Sequence, residues 1–228
     1  MSDVDTKAII LPSFEDIVLN REPKSTTIVL DNNEHIDVKD IRVMFETYKK
    51  QNINFIETLF TEFKIVNPKY KDLVQPLFDN NEEIAHINYN QALRCMAGMS
   101  MEKLKALQHP YPTIIDKIEK YGYDPKQLHH ILRMHEFIKK YAIGTPYKEC
   151  LVASDREYLI DIKKGCCDEE TAVDLAKLVD MATKSIKDMF LKEQDEINQK
   201  GIDVLNQVKY NLLKAKFKED IEKEVGNE

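Results

Sequence analysis

The first twelve residues constrain the fold of this chain more than any other stretch. The apolar run at residues 8–11 is stopped by Pro12, which predicts a short buried strand. Asp3 and Asp5 precede this run, two positions apart. Because alternate side chains of a strand share a face, we expect the two carboxylates to project together and to suit a divalent cation. The alternative is an acidic N-terminus without a site.

A β-hairpin is predicted after this strand. Residues 26–30 are rich in β-branched side chains, residues 31–33 are typical of a turn, and residues 34–38 form a second strand-like segment. Polar and apolar residues do not alternate cleanly in these segments, so the pattern leaves the register of the hairpin open.

The remainder of the chain is predicted to be mainly helical. Ile41 and Tyr48 bound a run with apolar residues at helical spacing, and residues 82–107 continue such a pattern as one long helix. Residues 149–152 are compatible with a small strand. The predicted fold class is α+β, with a sheet region at residues 1–66, a helical region at 67–200 and a charged helix at 201–228.

Composition limits the classes of function. The chain has 228 residues, 32% of them charged, and a formal net charge of −7, which argues against a broad basic surface for nucleic acid. The cysteines lack CxxC spacing and indicate reduced thiols. No apolar run approaches the roughly 20 residues of a membrane span, and no signal peptide is evident, which predicts a cytoplasmic protein that does not enter the membrane.

A basic stripe is predicted on the helix that follows Asp124. Lys126, His130 and Arg133 fall within a narrow sector of this helix at about 100° per residue. Such a stripe cannot easily be buried without partners, so it faces water, carboxylates or phosphate. The two interpretations left open are a phosphate contact and a solvated basic face.

Asp37, near the end of the second hairpin strand, is a candidate third carboxylate. Three carboxylates that converge on a small sheet suit two-metal nucleotidyl transfer, in which one ion holds the triphosphate and the other lowers the pKa of the attacking hydroxyl. The alternative is that Asp37 caps the helix that follows it.

These motifs resemble the DNA polymerase beta-like nucleotidyltransferase superfamily, in a predicted bacterial and phage branch. The S-D-x-D strand motif is matched by residues 2–5, and its continuation by Asp37, the helix at 41–48 and the run at 54–60. Residues 123–133 are similar to the branch's Asp-x-Lys…His…Arg helix, and residues 162–165 to a later turn. The resemblance covers residues 2 to 190 in the correct order.

The resemblance implies a small mixed sheet and assigns Asp3, Asp5 and Asp37 as ligands of Mg²⁺ or Mn²⁺. The corresponding enzyme transfers a nucleoside monophosphate from a nucleoside triphosphate to a hydroxyl of an RNA, a protein or a small molecule. Its phosphate contacts would be Lys126, His130 and Arg133.

One departure from the family concerns the N-terminus. The family has a Gly-Ser turn about ten residues before the S-D-x-D motif, at a helix N-terminus that holds nucleotide phosphates. This sequence begins after that point, so we expect weak activity from the chain alone. The alternative function is a catalytically inactive or split-gene remnant that acts as an interaction module through its helical half.

Overall fold

The computed structural model describes residues 5–31 and 34–225, including all of their side chains except those of Asp5 and Glu224. The fold is α+β, with a small three-stranded mixed sheet near the N-terminus followed by a mostly helical region. This architecture confirms the predicted fold class. Within the described ranges, no helix is long and apolar enough to cross a membrane.

The sheet has β3 (His35–Asp40) at its centre, with β1 (Asp5–Ile10) on one side and β2 (Ser25–Val29) on the other. Strand β1 runs parallel to β3, and β2 runs antiparallel to β3 as the predicted hairpin. Because β3 is central, a side chain in the middle of this strand has neighbours on two strands.

The first strand forms as predicted, but it is not buried. Ile9 of β1 is 41% exposed, and every residue of β2 is exposed. The apolar run at residues 8–11 therefore forms a strand because β-branched side chains favour extended backbone, whereas the described chain covers it only in part.

The helices follow in chain order: α1 (Phe14–Val18), α2 (Ile41–Lys49), α3 (Ile53–Ile56), α4 (Lys71–Asp79), α5 (Asn81–Ala85), α6 (Tyr89–Ala106), α7 (Ile115–Tyr121), α8 (Pro125–Ala142), α9 (Tyr147–Cys150), α10 (Arg156–Lys163), α11 (Glu169–Phe190) and α12 (Gln199–Val225). Side-chain caps begin several of them. Asp40 accepts from the backbone N–H of Arg42 at the start of α2, and Asp124 accepts from that of Lys126 at the start of α8. Pro125 occupies the first helical position of α8, as its fixed φ favours.

Two predictions for the mainly helical part of the chain need correction. The single helix expected over residues 82–107 is divided between α5 and α6, because the backbone near Ile87 pairs instead with the start of the C-terminal segment. The amide of Asn198 donates to the carbonyl of Ile87 at 2.8 Å, and Asn88 forms an antiparallel bridge with Ile197.

The strand expected at residues 149–152 is instead the end of a short helix. Tyr147 and Cys150, three residues apart, are both buried, and this spacing places them on one face of α9. The ring of Tyr147 packs edge-on against Phe137 of α8, with 5.0 Å between ring centres. Packing of this face decides the local structure.

The chain divides into two compact units. The sheet unit contains the described residues up to Asn88 together with those from Ile197 onward, and the helical unit contains Tyr89–Glu196. In the sheet unit, the C-terminal helix α12 packs against α4 and α5. The apolar face of α2 is fully buried in the same unit, through Ile41, Met44, Phe45 and Tyr48.

Helix α8 is the centre of the helical unit, where α6, α10 and α11 pack against it. Its inward face is apolar at helical spacing and places Leu128 and Ile131 in a core with Ile162 of α10 and Ala172 and Ala176 of α11. The opposite sectors of α8 are left for polar side chains, and these include the predicted basic stripe.

Candidate functional site

Asp37 lies in the middle of the central strand and has a polar partner on each side. The Nζ atom of Lys7 on β1 lies 3.1 Å from its Oδ2 atom, and the hydroxyl of Thr27 on β2 donates to its Oδ1 atom at 3.1 Å. Lys7 and Thr27 are its register partners on the two neighbouring strands. The sheet pairing therefore builds this contact, and Asp37 does not cap a helix; that role belongs to Asp40.

The surroundings of Asp37 keep its carboxylate ionised. Partial burial alone would raise its pKa, but the hydrogen bond and positive charge of Lys7 outweigh this effect. Thr27 and the charge of Lys39 act in the same direction, so the pKa of Asp37 lies below its ordinary value. The group is a carboxylate anion at neutral pH.

The other two predicted carboxylates are described less fully. Asp3 lies outside the described residues. Asp5 is the first residue of β1, where its backbone pairs with His35, two positions before the pairing of Lys7 with Asp37. The convergence of three carboxylates stays a prediction. Among the side chains that the structure does describe, no group of three or more His, Cys, Asp or Glu residues is placed to hold a metal ion.

Two lysines of the sheet, on β1 and β3, lie beside an aromatic ring of α3. The Nζ atoms of Lys7 and Lys39 lie 4.8 and 5.1 Å from the ring centre of Phe55. Lys39 also donates to the hydroxyl of Ser25 at 3.0 Å. We name Lys7, Thr27, Asp37, Lys39 and Phe55 the sheet site. The period-two spacing of residues 37 and 39 was visible in the sequence, but the open register concealed their neighbours.

The carboxylate oxygens of the sheet site are of the kind that bind a hard divalent cation. Carboxylate oxygens are the ligands that Mg²⁺ and Mn²⁺ prefer, and a carboxylate has about four lone-pair positions. Asp37 uses two of them, for Lys7 and Thr27, so acceptor capacity remains. Its ionised state is the form that a metal ligand requires.

The three residues of the predicted basic stripe lie on α8 in the helical unit. Lys126 is exposed, whereas His130 and Arg133 are partly buried. Burial, then the charges of His129, Lys103, Lys126 and Arg133, lower the pKa of His130 to about 3. The structure thus brings the stripe residues close together and adds Lys103 from α6.

The stripe and the carboxylates belong to different units of the chain, so the prediction that they face each other stays a prediction. Asp124, which precedes the stripe, has a structural role that is clear. It is 1% exposed, it caps α8, and its Oδ2 atom accepts from the side-chain amide of Gln127 at 3.2 Å. This cap fixes where α8 begins.

Comparisons of the chain with protein-family models, with curated proteins and with solved structures find no match.

Proposed function

We propose that this chain takes part in metal-dependent nucleotidyl transfer, in which a nucleoside monophosphate moves from a nucleoside triphosphate to a hydroxyl group. The observation that carries the proposal is the ionised Asp37 carboxylate at the centre of a small mixed sheet, with Lys7 and Lys39 beside it. Anionic oxygen ligands and cationic side chains at one place suit a metal-bound triphosphate.

In this proposal the metal ligands are Asp3, Asp5 and Asp37. Mg²⁺ or Mn²⁺ bound there would neutralise phosphate charge and lower the pKa of the acceptor hydroxyl. Lys7 and Lys39 would contact phosphate oxygens from the sheet, since each lysine ammonium offers three donors. The lysine stems are flexible, so Lys7 can exchange its contact with Asp37 for a contact with phosphate.

A partly exposed aromatic neighbour fits the same ligand. Phe55 is partly exposed and already lies beneath two ammonium groups. An aromatic face of this kind stacks on a nucleobase with little dependence on sequence. The combination of carboxylate, lysines and ring supports a nucleotide as the ligand of the sheet site.

One observation favours the second candidate, an inactive chain that acts as an interaction module. The Lys7 ammonium supplies a positive charge directly to Asp37 at 3.1 Å, and this charge stabilises the carboxylate without a metal ion. A sheet in which lysine takes the place of the cation needs no nucleotide to remain folded.

One experiment separates the nucleotidyltransferase from the interaction module. It measures the transfer of radiolabel from an α-labelled nucleoside triphosphate in the presence of Mn²⁺. RNA, protein and small-molecule hydroxyl acceptors are supplied in separate reactions. Wild-type chain should label one of them, and Asp37→Asn should lower the rate at least about 100-fold if the carboxylate holds a shared ion.

The matched control is Asp72→Asn, which removes the same charge from an exposed position on α4. This variant should keep the wild-type rate. No labelling of any acceptor by the wild-type chain would favour the interaction module. Transfer that persists in Asp37→Asn would contradict the assignment of Asp37 as a ligand of a shared ion.

A further inference from the structure

In the helical unit, cationic side chains of three helices lie near enough to two adjacent imidazole rings to lower their pKa values. Lys103 comes from α6, Lys163 from α10, and four more residues come from α8. We name this set the basic cluster: Lys103, Lys126, His129, His130, Arg133 and Lys163. Helix α8 packs directly against both α6 and α10, which is why residues distant in sequence lie together.

The two histidines mark the centre of the basic cluster. Their ring centres are 5.4 Å apart in an edge-on arrangement. Burial and the charges of Lys163, Arg133 and Lys126 lower the pKa of His129, and Lys103 acts on His130. Positive charge from all three helices therefore acts on the same pair of imidazole rings.

Several lysines of the helical unit have carboxylate partners, whereas the described chain offers none to the lysines of the basic cluster. Lys140 pairs with Glu136 at 2.8 Å and Lys164 with Asp161 at 3.2 Å. In the part of the chain that the structure describes, no carboxylate forms an ion pair with Lys103, Lys126 or Lys163. Like charges gathered at one place destabilise the fold unless an anion compensates them.

One buried imidazole nitrogen of the basic cluster also lacks a hydrogen-bond partner among the described residues. The Nδ1 atom of His129 is buried and has no hydrogen-bond partner among the described residues. Buried polar atoms in folded proteins are normally paired, so an unpaired one at the centre of a cationic group indicates a ligand or water that completes it.

We propose that the basic cluster binds a condensed phosphate, either free or as the phosphate chain of a nucleotide. The three lysines carry fixed positive charges that match the multiple negative charges of a condensed phosphate better than the single charge of an isolated phosphodiester. Lys126 and Arg133 are seven residues apart, which is about 10 Å along a helix and suits a compact anion. In naming a nucleotide, the inference rests on the proposed function; the anion site itself does not.

The cluster differs from a simple stripe on one helix in a way that can be tested. A stripe would need only residues of α8, whereas the structure adds Lys103 and Lys163 from the two neighbouring helices. Each of them has a nearby lysine that is not among the charges acting on the two histidines: Lys105 on α6, and Lys164 just after α10.

The experiment is calorimetric titration of the full chain with tripolyphosphate, without metal, at pH 7 and low salt. Lys103→Ala and Lys163→Ala should each weaken binding about 10-fold, as expected for loss of one charge-assisted contact. Lys105→Ala and Lys164→Ala should bind as the wild type does. Circular dichroism verifies that each variant is folded, and Lys103→Gln replaces Lys103→Ala if the alanine variant is not.

Two further titrations identify the source of the anion. Nucleoside triphosphate that binds more tightly than tripolyphosphate indicates a nucleotide, and equal affinities indicate free condensed phosphate; both results support the site. The proposal is overturned if all four lysine variants bind tripolyphosphate with the wild-type affinity. It is also overturned if a single-stranded oligonucleotide binds more tightly than tripolyphosphate and Lys103→Ala and Lys163→Ala weaken that binding.

Failure of this inference is distinguishable from failure of the proposed function. Condensed phosphate that binds normally to a chain without transfer activity would count against nucleotidyl transfer alone. If Lys103→Ala and Lys163→Ala keep both the transfer activity and the tripolyphosphate affinity of the wild type, the result would count against the basic cluster alone.

Discussion

The Nζ atom of Lys7 lies 3.1 Å from the Oδ2 atom of Asp37, on the neighbouring parallel strand and at the same register position. This contact joins residues 30 positions apart in the sequence. It keeps the carboxylate ionised and places an ammonium group beside it; in the proposed function these groups would contact phosphate and metal. The pair is therefore the structural basis of the proposed nucleotide site.

Replacing Lys7 with methionine should raise the pKa of Asp37 toward its ordinary value, since the hydrogen bond and charge that lower it are lost. The pair stabilises the fold above the carboxyl's unfolded pKa, and this contribution is lost as pH falls through the lower folded pKa. Both side chains are 25% exposed, so the stability change should be below about 1 kcal/mol. Carboxyl ¹³C NMR titration measures the pKa, and denaturant unfolding measures the stability.

The matched control for this variant is Lys49→Met, which removes a lysine paired with Glu46 on α2 of the same unit. It should leave the pKa of Asp37 unchanged. A pKa of Asp37 that is the same in Lys7→Met as in wild type would show that the contact does not hold in solution.

The half-buried His130 should make the fold sensitive to acid. Burial and the charges of His129, Lys103, Lys126 and Arg133 lower its pKa from 6.5 to about 3. Between these values the unfolded chain binds a proton that the folded chain does not, so the free energy of unfolding falls as pH falls. His130→Gln should flatten this dependence between pH 7 and pH 5, by up to about 1.4 kcal/mol per pH unit.

Urea unfolding at each pH measures this effect. His109→Gln, which changes an exposed histidine outside the cluster, should keep the wild-type profile. A His130→Gln profile with the same slope as wild type would show that folding does not lower the pKa of His130. Saturating tripolyphosphate should reduce the slope in the wild type, because a bound anion stabilises the imidazolium.

Two helical glycines should respond to alanine in opposite directions. A Cβ atom at Gly201 would lie 2.4 Å from the backbone oxygen of Glu83 and 2.7 Å from Ile87, so α12 could no longer approach α5 as closely. Gly201→Ala should cost about 1–3 kcal/mol of unfolding free energy. Gly98 has open space where its Cβ atom would lie, so Gly98→Ala should stabilise the chain by about 0.5–1 kcal/mol.

Denaturant unfolding of both variants measures these changes. Gly98→Ala serves as the control, because it makes the same substitution within a helix without the close approach. A Gly201→Ala variant that is as stable as wild type would mean that α12 does not pack on α5 at this distance.

Features of the fold that depend on local sequence pattern could be predicted from the sequence. The three strands followed from β-branched residues and turn residues. The pairing of Lys7 with Asp37 could not be predicted, because the parallel register of β1 and β3 depends on tertiary packing rather than on either strand alone.

The same distinction applies to the helical unit. The common face of Lys126, His130 and Arg133 follows from helical spacing, whereas the approach of Lys103 and Lys163 depends on how α6 and α10 pack on α8. The strand predicted at residues 149–152 failed for a related reason. A short apolar run has no preferred period, and the burial of Tyr147 and Cys150 selected the helix.

The central claim is that these carboxylates bind a metal ion. The most direct test is a titration with Mn²⁺ in which electron paramagnetic resonance measures binding. Wild-type chain should bind Mn²⁺, and Asp37→Asn and the double variant Asp3→Asn/Asp5→Asn should each bind at least about 10-fold more weakly, since carboxylates are the expected ligands. Asp72→Asn should bind as the wild type does. Equal Mn²⁺ affinity in all four proteins would contradict the assignment of a metal site to these carboxylates and with it the proposed nucleotidyl transfer.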